Sequence, residues 1–478
     1  MAEPQQATGQ AVLKMLKAKE LITDDDVKAV MDDSAQAAPQ ESAKPAPPPE
    51  KVKISGEMRF RPEMRDNADF NDKVDDNKGY IGQRIRLNFD IKTDSGVKAF
   101  ISVQDSRNWG DVGNAESAGN ASTSYGGSTV CTQAQVTAGT ACTTTAASQT
   151  AYASRGSDRQ SLDVYQAWFM LENVGGAPVD FKIGRQQLVY GDQRLLGHLG
   201  WSDNGRAFDA YKVTTRLNAA QIDLFFAKLK ETQLKSSDSS NDDDLYGLYT
   251  IWPAGEGNKL DVYYLVWKND AARSVNTYGL RFGGKAGAFD YTAEGAFQGG
   301  KWSATVDQSA NAFAVTAGYT IADVMGGLRI GAEYDMGSGD DQSDAKTHKT
   351  FVFPFHTNHG HYGYMDYFSW GNMTDLAFKI KGKPSEKLTA EIAYHNFALA
   401  QAKDAWLNVA GTGTLWAANT ETSTDAGQEI DLTAVYAYNQ SVKITAGYST
   451  FAPGQAAKGR SGFSDTSSWG YGMFEFAF

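Results

Sequence analysis

From residue 51 to the end of the chain, apolar and polar residues alternate with a period of two. Residues 51–61 set Val52, Ile54, Met58 and Phe60 against Lys53, Glu57, Arg59 and Arg61. Residues 80–92 set Ile81, Ile85, Leu87, Phe89 and Ile91 against Arg84, Arg86, Asn88 and Asp90. Such alternation predicts strands with one apolar and one polar face. It recurs at 97–106, 161–172, 178–186, 206–217, 220–230, 244–252, 258–268, 274–284, 288–298, 310–320, 326–336, 373–382, 386–397, 428–439, 441–451 and 468–478, which makes eighteen strands. The fourth, fifth and eighth to tenth alternate least cleanly.

The connections alternate as well. After even-numbered strands they are short, as in TDSG (93–96), NAA (218–220) and KPSE (383–386). After odd-numbered strands most are long: 62–79, 107–160, 187–205, 231–243, 337–372, 398–427 and 452–467. Short turns on one rim and long loops on the other predict an all-β transmembrane barrel of about eighteen antiparallel strands. An even strand number places both termini on the short-turn, periplasmic rim of a Gram-negative outer membrane. The last strand, WGYGMFEFAF, puts Phe474, Phe476 and Phe478 on one face and resembles the signal read by the barrel assembly machinery. Lipid and lipopolysaccharide are then the expected surroundings.

The first fifty residues differ. Val12, Leu13, Leu16 and Leu21 make a partial helical stripe, and Thr23 with Asp24–Asp26 begins a second short helix. A small periplasmic helical segment is expected over 1–34, joined by a Pro/Ala-rich linker at 35–50 to the barrel at 51–478. The helices over 9–34 are too few to hold a core alone and suit self-association or a periplasmic partner. Met1-Ala-Glu-Pro has neither a basic start nor an apolar run, so an exported chain would be a mature form with an added start residue.

Composition narrows the partners. The net charge of −12 disfavours nucleic acid, and a mean hydropathy of −0.44 fits polar faces turned inward. Cys131 and Cys142 lie in one Ser/Thr/Gly/Ala-rich stretch, and their C-x10-C spacing predicts a local disulfide, with two free thiols the alternative.

On the inward faces the charges sort by position. Arg59, Arg61, Arg84, Arg86, Lys182, Arg185, Lys212 and Arg216 come from the first six strands. Asp290, Glu294, Glu333, Asp335, Glu391, Glu429, Asp431 and Glu475 come from the later ones, with exceptions in both groups. One arc is predicted basic and much of the rest acidic, free to pair across the lumen. The stretch 181–211 gathers Arg185, Arg194 and Arg206 with five glycines between two strands. Such guanidinium forks suit carboxylates and phosphates.

Other chemistry finds less support. His348, His356, His359 and His361 share one loop, but hydrogen bonding within that loop is expected rather than a metal site. The clusters Asp72/Asp75/Asp76, Asp242–Asp244 and Asp340/Asp341/Asp344 lack EF-hand spacing, so calcium would bind at most loosely and no cofactor is expected. His395 with Glu391 is the one pair resembling an enzyme centre, without a hydrolase motif beside it.

The runs GRQQLVYGDQRLLG and WSDNGRAFDAY (184–197, 201–211), with FPFHTNHGHYGYMDYFSWGNMTDL (353–376), resemble the alginate-export family of outer-membrane porins. The resemblance covers the chain from about residue 51 onward. It implies a monomeric eighteen-stranded barrel, not an enzyme, with Arg185, Arg194 and Arg206 as constriction cations passing anionic solutes or saccharides. The alternative kept open is a structural barrel that encases or recruits a secretion or electron-transfer partner.

Overall fold

The computed structural model describes residues 51–93, 96–109, 162–231, 242–269 and 272–478. The chain divides into Met1–Pro49 and Glu50–Phe478. The predicted helices, their linker, Cys131 and Cys142 lie outside the described residues.

Eighteen strands run through the second unit: β1 (Lys51–Asp66), β2 (Lys78–Lys92), β3 (Val97–Asn108), β4 (Asp163–Leu171), β5 (Val179–Gln186) and β6 (Phe208–Leu217). They continue with β7 (Ala220–Lys230), β8 (Asp243–Pro253), β9 (Lys259–Asn269), β10 (Ser274–Ala286), β11 (Phe289–Lys301) and β12 (Ala310–Ile321). The last six are β13 (Leu328–Gly337), β14 (Met373–Ser385), β15 (Leu388–Ala398), β16 (Asp425–Ala437), β17 (Val442–Pro453) and β18 (Ser467–Ala477). Each pairs antiparallel with its neighbours in sequence, and β1 pairs with β18 in the register Arg59↔Glu475, which closes the ring. Every predicted strand is present. Closure leaves no edge with unpaired backbone groups facing lipid. At the seam Phe478 and Gly56 exchange backbone hydrogen bonds of 3.0 and 3.1 Å.

The two faces of each strand separate as the period demands. On β14 Leu376, Phe378 and Ile380 are exposed while Asp375 and Ala377 are buried. Phe474, Phe476 and Phe478 likewise stand outward. Apolar side chains on the outer surface would be unfavourable in water and are solvated by lipid. Tight links join the strands at one rim; Asn218, at φ 54°, makes the left-handed turn that the β6–β7 hairpin requires.

The inner face is packed rather than empty. Residues 187–207, between β5 and β6, and 338–372, between β13 and β14, fold back into the barrel. Phe355 is fully buried, 6.0 Å from both Phe208 and Trp267 by ring centroids. Tyr190 stacks on Tyr249 at 4.3 Å. The two inserts also bind each other: the Gly197 N–H donates to Phe355 O and the Thr357 N–H to Gln193 O, both at 2.9 Å. Together they form one plug whose apolar residues lie on β6–β12 and, through Phe368 and Tyr367, on Phe397 of β15 and Phe451 of β17.

Candidate functional site

The plug meets a basic wall on one side. Arg59 and Arg84 sit directly opposite one another on β1 and β2, and Glu57 faces Arg86 one row away. Like charges across a strand pair repel, so this wall needs counter-charge. Glu57 supplies part, 2.9 Å from Arg84 and 3.3 Å from Arg86. Glu63 on β1 supplies more, 2.5 Å from Arg61, and the tip of the 187–207 insert adds the remainder. Arg59 donates to Gly200 O (3.0 Å) and Trp201 O (2.7 Å) and pairs with Asp203. Arg84 donates to Gly200 O (2.9 Å) and Ser202 O (3.0 Å). Arg61 donates to Trp201 O and lies 3.6 Å from Asp203. The Arg86 guanidinium sits 3.8 Å over the Tyr165 ring. Burial alone would raise the Asp203 carboxyl, but Arg61 and Arg59 outweigh it and hold it below the usual range.

On the opposite side the plug offers cations to an acidic wall. Arg194 is buried, paired with Glu333 and, at 2.9 Å, with Asp335, and it donates to the Tyr362 hydroxyl at 3.1 Å. Burial works against its charge; Asp335, Tyr362 and Glu333 prevail and keep it protonated. Lys379 takes the second oxygen of Glu333 at 2.7 Å. Asp192 of the insert binds Arg281 of β10 through two bonds, 2.8 and 2.6 Å. The Met365 N–H donates to Glu429 at 2.7 Å. The basic and acidic arcs therefore pair largely through the plug between them.

The predicted constriction arginines divide. Arg206 is buried and has no carboxylate partner among the described residues: it donates to His356 O (2.8 Å) and Pro354 O (3.1 Å), and burial pushes it down to about 9. Arg194 and Arg206 thus fasten the inserts instead of standing free in a pore. Arg185 departs from expectation. It shares its strand face with Phe181 and Ile183, opposite Asp209 and Tyr211, so it points away from the lumen. Its partner is the exposed Asp209 at 3.3 Å. Arg216 lies inward near the short-turn rim, 3.2 Å from Asp180.

The loop histidines face different ways. His348 stacks on Trp302 at 4.1 Å, and His356 bonds Phe353 O (2.9 Å) and Val409 O (2.8 Å). His359 stacks on Trp201 at 4.0 Å, and His361 bonds Asp192 O at 2.8 Å. Among the described residues no three His, Cys, Asp or Glu side chains converge as metal ligands. His395 pairs with Asp375 at 2.7 Å and Asp431 at 3.6 Å, whereas Glu391 is taken by Lys381 at 3.0 Å, so the pair suggested by sequence is not formed. Sequence reasoning missed Asp203 as the counter-ion of the basic arc. Its signal was present: it lies in a Gly/Asn-rich turn, WSDNG, between two arginines.

A closed antiparallel barrel, apolar outside and charged within, with inserts folded in from the long-loop rim, defines an outer-membrane transport channel rather than an enzyme. Residues 50–470 match the family model described as Alginate export, and the chain belongs to that family. No curated protein matches. Solved structures share the fold at low identity. Acinetobacter baumannii OccAB1 superposes with a TM-score of 0.56 at 11% identity, covering 90% of this chain and 97% of that one. Pseudomonas aeruginosa OccK5 (OpdH) gives 0.54 at 12%, covering 91% and 99%. The outer membrane protein OprD of Pseudomonas aeruginosa gives 0.54 at 10%, covering 90% and 94%.

Proposed function

We propose that the chain is a passive diffusion channel for small anionic solutes or anionic saccharides, with both termini on the periplasmic rim. The observation that carries this reading is how Arg59, Arg61 and Arg84 are neutralised. Glu57 and Glu63 on β1 meet Arg84 and Arg61 in part, and the remaining partners are backbone carbonyls and Asp203 on an insert, groups that an entering anion can replace. A guanidinium ladder of this kind lowers the barrier for anions and raises it for cations. Arg86 extends it, and Arg216 flanks the exit. Arg194 and Arg206 act indirectly, by setting where the plug rests. Folding requires the barrel assembly machinery and lipopolysaccharide-containing lipid; the 9–34 segment serves self-association or a periplasmic partner, and any calcium on the outer acidic loops is held loosely.

The encasing alternative has less support, because the barrel's own inserts already occupy lumenal volume. Planar-bilayer reversal potentials in a salt gradient test the proposal. Anion selectivity that falls when Arg59 and Arg84 become Gln is expected. Cation selectivity, indifferent to those changes, would overturn it.

A further inference from the structure

Beneath the plug, toward the short-turn rim, lies a cavity of about 440 Å³ that the arginine ladder does not reach. Its wall holds a charge imbalance fixed by register. Lys182 on β5 faces Lys212 on β6 directly. Lys212 lies 3.3 Å from Asp223, and that carboxylate also accepts from the Tyr190 hydroxyl (2.8 Å), the Thr214 hydroxyl (2.7 Å) and Gln221 (3.2 Å). Asp223 is thus saturated. Lys182 forms no salt bridge among the described residues; its ammonium rests 3.7 Å from the centre of the Trp168 ring. Asp90 also borders the cavity, on β2, three strands from Lys182.

A second unmet group adjoins it. Among the described residues the indole N–H of Trp168 is buried without an acceptor, an unfavourable state for a polar group. The face of the ring stacks on Phe100 at 5.6 Å. An ammonium without an anion, over the face of an indole whose N–H has no acceptor, leaves place for one carboxylate. The side-chain amides of Gln166, Gln187 and Gln221 line the same cavity and suit hydroxyl groups.

We infer that this cavity binds a small hydroxylated monocarboxylate, its carboxylate held by Lys182 and the Trp168 N–H and its hydroxyls by the three glutamines. The site deepens the channel reading and rests on it for access from the lumen. It provides a station between the ladder and the short-turn rim.

The test is calorimetric titration of the detergent-solubilised full chain with gluconate, and with sorbitol as its uncharged counterpart. Gluconate binds saturably and sorbitol does not. K182Q and W168F, the latter keeping the stacked ring but losing the N–H, each weaken gluconate by about tenfold, the worth of one charge-assisted hydrogen bond. K212Q weakens it less. Heat-modifiable migration like that of the wild type certifies that each variant barrel is folded. Absence of saturable binding, or K182Q and W168F that bind like wild type, overturns the site. Reversal potentials separate this from the channel reading: a cation-selective barrel with Lys182-dependent gluconate binding loses the proposed function and keeps the site. An anion-selective barrel with binding indifferent to Lys182 does the reverse.

Discussion

At the scale of residues, two buried arginines with similar exposure do different work. Arg194 neutralises two buried carboxylates, so R194M leaves Asp335 without its cation and Glu333 with Lys379 alone; the expected loss is about 3–5 kcal/mol. Arg206 meets only carbonyls, so R206M removes a charge whose burial is itself unfavourable and costs less. Midpoints of heat-modifiable unfolding should rank wild type, then R206M, then R194M. His361 adds a pH dependence. Burial, with Arg194 next, pushes it down to about 3 from an ordinary 6.5. Between those values a released insert binds a proton that the packed ring does not. Plug docking is therefore complete near pH 7 and weakens as the pH falls from 6.5 toward 3. Open-channel current should rise over that window, and H361N should flatten the rise. Parity explains the one misplaced arginine. Lys182 and Arg185 are three residues apart and cannot share a face of a period-two strand, so assigning both inward contradicted the pattern that defined the strand. The inward turn of Lys182, between apolar Phe181 and Ile183, was the part sequence could decide.

At the scale of elements, the runs that alternate least cleanly have a physical reason. Along β8–β10, Leu245, Leu265, Trp267 and Val275 are buried against the plug while Leu248, Val262, Tyr264 and Tyr278 are exposed on the other face. Both faces are apolar there, so the two-residue period fades where a loop supplies an inner core. Sequence showed the rim on which the long loops lie, because length and Gly/Asn content mark it. It did not show that 338–372 turns inward, since Phe355 meets Phe208 and Trp267 only when β6 and β9 curve around it. That packing is testable. F355A empties a fully buried site between Phe208 and Trp267 and should cost the docked plug about 3–5 kcal/mol. Bilayer recordings should show more frequent opening while the barrel's own unfolding midpoint changes little. L224A, at a lipid-exposed position on β7, serves as the control and should alter neither. An F355A channel with wild-type opening would mean that the insert does not move as a unit.

At the scale of the whole molecule, a chain of net charge −12 is proposed to select anions, which works only if local fields outweigh the total. The geometry favours this. Glu333, Asp335, Asp375 and Asp431 of β13–β16 face Arg194, Lys379 and His395, whereas Arg59, Arg61 and Arg84 are met in part by a detachable insert. Asp203 is the only side-chain anion that the 198–206 tip presents to that ladder, through Arg59 and Arg61, and it is a tethered competitor for any solute anion. D203N should therefore strengthen anion preference, because the ladder keeps its carbonyl contacts and wall carboxylates but loses the counter-charge that the insert supplies. Salt dependence separates this from a change in pore width. The Debye length falls from about 10 Å at 0.1 M to about 3 Å at 1 M, so selectivity that comes from the ladder should decline over that range in both forms. The D203N difference should be largest at low salt and vanish at high salt. A wider pore would raise conductance at every concentration without that convergence. Reversal potentials of D203N equal to wild type at 0.1 M would take the ladder off the permeation path and leave the arginines with the structural role of docking the plug.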